Sequence, residues 1–147
     1  ADWVQNFVKH LAAVRPDTPP KTWMELTDFI IHSGAEYWAQ TQNTLRVMPR
    51  IRSNAPASYK AAVHELSDCL AHLYERYFDI PDIPEWHSKL GFATQLVDFA
   101  YSDAVRRDGK ISDEKLKQAQ VLCKTYFGFF LPASLKPRAA RRISSIA

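Results

Sequence analysis

Glycine is scarce in this chain: four in 147 residues, standing far apart at Gly34, Gly91, Gly109 and Gly128. No glycine-rich loop is available to cradle phosphates, which argues against a nucleotide-hydrolysing enzyme. Cysteine is scarcer. Cys69 and Cys123 form neither a C-x-x-C pair nor a spaced framework, so they read as free, partly buried thiols on helices. A cytoplasmic or other reducing compartment is the expectation, since no basic, apolar leader precedes Trp3 in the chain shown. No run approaches the roughly 20 apolar residues that a membrane span needs, so a soluble chain is expected. Period-two alternation of β-branched residues is also missing, and no sheet is assigned.

What is present is apolar and aromatic. The apolar fraction is 46%, with four Trp, six Tyr and eight Phe. That composition excludes a disordered chain and calls for large helix interfaces, and the length suits one domain with its own core.

Helical spacing recurs along the whole chain. Trp3, Phe7, Leu11 and Val14 mark a first helix capped by Asp2, followed by a stiff, proline-bearing linker from Arg15 to Pro20. Thr22 and Glu25 match a capping box for a second helix with Trp23, Leu26, Phe29 and Ile30 on its stripe, which Gly34 is expected to end or bend. A third, carrying Trp38, Leu45 and Met48, should break at Pro49. Tyr59, Val63, Leu66, Leu70, Leu73 and Tyr77 follow a three-four spacing that predicts a core helix over 57–78.

Asp82 and Glu85 resemble a second capping box, with Pro84 inside the first turn of a helix over 84–107. Its stripe is Trp86, Leu90, Ala93, Val97, Ala100 and Ala104. Asp108-Gly109 should end it, and Ser112 should cap a last long helix over 113–131 with Leu116, Ala119, Cys123, Tyr126, Phe127 and Phe130 on its apolar face. The expected fold is all-α, a compact bundle of about six or seven helices: a helical domain over 1–133, then a basic C-terminal segment over 134–147, part helix or loose tail.

Charge is divided along the length. Residues 106–147 carry ten Lys or Arg against three Asp or Glu, whereas residues 1–105 carry nine against thirteen. Between Glu36 and Glu65 no acid occurs, while Arg46, Arg50, Arg52 and Lys60 fall in the gap. Lys136, Arg138, Arg141 and Arg142 form a second basic cluster with no acid after Glu114. Guanidinium groups bind phosphate bidentately, so these eight residues are the candidate nucleic-acid contacts, positioning a backbone without base readout.

Other constellations carry less. His64, Asp68 and His72 lie four apart on one helix face, but H-E-x-x-H is not met and the row points away from the apolar stripe; an exposed polar face is expected and no metal is assigned. No Glu-x-x-His pair supports a di-iron bundle. Asp103 to Glu114 locally resembles an EF-hand loop or the helix turn of the tellurite-resistance TerB-like proteins, through Asp108, Gly109 and Ile111. With Gly109 at loop position six, Ala104, Arg106 and Lys115 stand where calcium ligands belong, so that resemblance implies no calcium site.

Tyr126, Phe127, Phe129 and Phe130 present more aromatic faces than one helix stripe can bury. The expected function is a non-enzymatic helical module, without cofactor, that binds nucleic acid or another polyanion. The alternative is a protein-interaction or self-assembly module, a homo-oligomer or a piece of a larger particle, with its surplus aromatics as the interface. A small-ligand pocket around Trp38, Trp86, Tyr74 and a histidine is a third reading.

Overall fold

The computed structural model describes residues 2–40 and 56–138; Arg46, Arg50, Arg52, Arg141 and Arg142 lie outside the described residues. Five helices are described: α1 (Asp2–Ala13), α2 (Trp23–Gln40), α3 (Pro56–Tyr77), α4 (Trp86–Asp108) and α5 (Asp113–Gly128). The class is all-α, as the periodicity requires, and the described residues show five helices rather than six or seven. The difference has a local cause. Gly34 neither ends nor bends its helix: α2 runs through it to Gln40, merging two expected helices. A mid-helix glycine costs about 1 kcal/mol relative to alanine. Burial of Ile31, Ala35 and Trp38 around it, with the Phe7 ring of α1 beside it, outweighs that cost.

The α3–α4 contact is the most extensive, and α1, α2 and α5 pack around that pair. Close approach is set by Gly91, where a Cβ would come within 3.0 Å of Ser67 Oγ and 3.3 Å of Val63 Cγ1. Ser67 stays compact because its hydroxyl donates to the Val63 carbonyl at 2.7 Å. The pair α4–α5 is antiparallel, since Trp86 at the start of α4 meets Phe127 near the end of α5 with ring centroids 5.7 Å apart.

Capping follows the sequence at Thr22, Gly109 and Ser112 but not at Glu85. The Glu25 N–H donates to Thr22 Oγ1 at 3.1 Å, although the Glu25 carboxylate reaches one residue further back, accepting from the Lys21 N–H at 2.8 Å. Gly109 takes the left-handed conformation (φ 74°) and donates to Val105 O, and Ser112 Oγ accepts from the Lys115 N–H at 3.2 Å. The expected Asp82–Glu85 capping box does not form. Glu85 itself is left-handed (φ 56°) with no capping side-chain bond, and α4 opens one residue later. The physical reason lies in Trp86, whose ring stands edge-on to Tyr74 at 5.9 Å; seating it fixes how the chain enters the helix.

Helix α5 ends at Gly128, earlier than the expected 131, and a tight turn follows in which the Phe130 and Leu131 N–H groups both donate to Phe127 O. That turn buries Leu131 and presents Pro132 O to the Trp23 indole N–H at 2.9 Å. Residues 134–138 are extended. Leu135 is buried, Phe78 and Pro137 form an isolated antiparallel bridge, and Asp79 N–H donates to Lys136 O. Gln120 and Lys124 of α5 both reach Asp28 of α2, at its carbonyl (3.1 Å) and carboxylate (3.0 Å), and close the bundle on that side.

Candidate interaction surface and interior cavity

The described basic candidates do not converge. Lys60 is exposed near the start of α3, whereas Arg138 bonds the Tyr77 carbonyl at its far end, about 26 Å away along the helix at 1.5 Å per residue. Lys136 is exposed beside that far end. The Arg138 guanidinium is engaged within the fold: it donates to Glu75 O at 2.7 Å and to Asp79 Oδ1 at 3.2 Å. Arg106 and Arg107 likewise share one carboxylate, Asp103, whose pKa is held below the usual value chiefly by the Arg106 hydrogen bond.

Asp68 gains a neighbour that spacing along α3 did not reveal. His64 Nε2 lies 3.7 Å from Asp68 Oδ2, and His87 of α4 brings Nδ1 to 3.1 Å from Oδ1, on an exposed face. His72 Nδ1 lies 2.7 Å from the Asp68 carbonyl. Among the described residues no group of three or more His, Cys, Asp or Glu is arranged to hold a metal ion. Nor is any described helix long and apolar enough to cross a membrane.

The aromatic residues divide sharply between inside and outside. Tyr74, Trp86 and Phe127 form a buried cluster, each ring about 6 Å from the next and the Tyr74–Phe127 pair nearly perpendicular at 82°. Edge-to-face geometry of this kind adds roughly 0.5–1.5 kcal/mol per pair beyond area burial. Tyr74 is further anchored through its hydroxyl. Thr27 gives its proton to Trp23 O at 2.8 Å, so the 2.6 Å contact between Thr27 Oγ1 and Tyr74 Oη has tyrosine as donor.

Outside, five large apolar side chains are exposed among the described residues, all on α4, α5 and the turn that follows: Phe92, Phe99, Val121, Leu122 and Phe129, the last at 79%. Rings link along this surface from Phe92 to Tyr126 (5.3 Å), Tyr126 to Phe130 (5.2 Å) and Phe130 to Phe129 (6.5 Å). Lys89 Nζ sits 4.7 Å over the Phe130 ring. Phe92 and Phe99 are seven apart and share one α4 strip with Arg106, while Glu114 and Lys117 share an α5 strip with Val121. The apolar surface therefore ends in charges of both signs. Sequence reading missed Phe92 and Phe99, although their two-turn spacing off the Leu90–Ala93–Val97 stripe was a usable signal.

A half-open cavity of about 110 Å³ lies where α1, α2, α3, α4 and α5 meet, lined by Leu11, Ile31, Val63, Leu66, Ala93 and Val97 among others. Trp38 and Tyr74 line it; Trp86 and all five histidines are absent from its described lining. Three hydroxyls on the wall are turned onto partners within the fold. Tyr101 donates to Ile31 O (2.9 Å), Thr94 to Leu90 O (2.9 Å) and Tyr59 to Asp98 Oδ2 (2.9 Å). Asp98, a buried acid, was not singled out by the sequence because its position on the stripe is visible only once α3 is packed against α4. Cys123 also borders the cavity, and burial pushes its thiol up to about 12.

No family model, curated protein or solved structure matches the chain. Function is therefore read from the surface and the interior alone.

Proposed function

We propose that the chain is a non-catalytic helical assembly module that associates with a second copy of itself through the exposed aromatic face of α4 and α5. The observation that carries this reading is the confinement of Phe92, Phe99, Leu122 and Phe129 to one region while the comparable rings inside are buried. Large apolar side chains exposed on neighbouring helices in this way mark interaction sites. A two-fold contact sets one patch against itself, and a border bearing both Glu114 and Lys117 lets opposite charges meet across it.

Polyanion binding is the second reading, favoured by the excess of ten basic over three acidic residues in 106–147. Salt separates the two. Sedimentation velocity from 1 to 200 μM, at low and high salt, should show a dimer that persists or strengthens with salt. A strictly monomeric chain throughout would sink the assembly reading. Labelled single-stranded and double-stranded nucleic acids titrated in parallel would support the second reading only if binding falls steeply with salt.

A further inference from the structure

We infer that the interior cavity is a binding site for a small neutral apolar molecule, one unsubstituted or lightly substituted six-membered ring in size. Protein interiors are close-packed and hold few voids larger than a water molecule. Here about 110 Å³ is left open. Two alanines, Ala62 and Ala93, stand on its wall where one leucine would occupy much of the space. An apolar cavity of roughly 150 Å³ in another protein stays dry and takes benzene or xenon, so this volume fits xenon comfortably and benzene at its limit.

The wall also fixes the ligand's charge. No Lys or Arg is among the described lining residues, and the one acid, Asp98, already accepts from Tyr59. An anion would meet no countercharge and would lose its hydration. The hydroxyls of Thr94 and Tyr101 are turned onto backbone carbonyls, which leaves mostly hydrocarbon facing inward. Water finds few partners there, and a hydrogen-bonding ligand finds little to replace its own hydration.

The test uses the full chain, with benzene and benzoate as probes and amide NMR as readout. Benzene should bind saturably at one site, with shifts confined to residues around the cavity and an upward shift in melting temperature. Ala93→Leu should keep a dispersed spectrum and lose benzene binding at least tenfold; Ala62→Leu serves if Ala93→Leu does not fold. Benzoate should not bind. Non-saturating shifts in the native chain, or benzene affinity unchanged in a folded filling variant, would overturn the site. Benzoate binding as tight as benzene would overturn the apolar assignment.

Discussion

Two groups of aromatic rings meet at adjacent residues of α5 and face opposite fates. Phe127 turns inward to Tyr74 and Trp86 and is 3% exposed, whereas its neighbour Tyr126 turns outward to Phe92 and Phe130. The inner rings pack edge-on or tilted against one another, and the Tyr74 hydroxyl hydrogen-bonds Thr27 across the bundle. The outer ones stack in series and end at Phe129, almost fully in solvent. The same residue types are thus used once to hold the fold and once, on the proposed reading, to meet a second copy. Stability and association should therefore respond to different substitutions.

The largest expected effect is on the inside. Phe127→Ala removes a ring that touches both Tyr74 and Trp86 and should cost about 3–5 kcal/mol in urea unfolding. Alkali comes next. Cys123 is raised to about 12 from an ordinary value near 9.0, and Tyr74 and Tyr101 are raised by the same burial. Acids with raised folded values contribute stability that is complete below their unfolded values and is lost as pH climbs toward the folded ones. At pH 10.5 the thiol alone should withdraw roughly 2 kcal/mol, and Cys123→Ala should flatten the decline above pH 9.

Smaller again is Tyr74→Phe. It deletes the hydroxyl that donates to Thr27 while leaving Thr27 bonded to Trp23 O, and about 1 kcal/mol is expected by the same denaturation. Smallest is the outside. Phe99→Ser and Phe129→Ser, at 64% and 79% exposure, should change unfolding free energy by no more than about 0.5 kcal/mol. A large loss at either position would erase the distinction between the two groups of rings.

Much of the bundle was legible because local rules and packing agree there. The stripe Val63, Leu66, Leu70 and Leu73 and the stops at Gly109 and Ser112 are short-range signals that tertiary structure does not override. Gly34 and Glu85 were misread for the opposite reason: the Phe7 contact carries α2 through a glycine, and the seating of Trp86 replaces a capping box with a left-handed turn. The candidate surface was half legible. Surplus rings at Tyr126 to Phe130 were visible in order, but Phe92 joins them only across the α4–α5 pair. The cavity was illegible, since a void is a property of five helices together. The basic clusters were plain in sequence, yet the placement of Arg138 against Asp79 and Glu75 depends on where the chain returns after α5.

Sedimentation velocity on Phe99→Ser/Phe129→Ser beside the native chain, both at 100 μM and high salt, tests the assembly claim most directly. A native dimer and a double variant that is folded, with a dispersed amide spectrum, but monomeric is the predicted result. A native monomer, or a double variant that dimerises as well as the native chain, would contradict it.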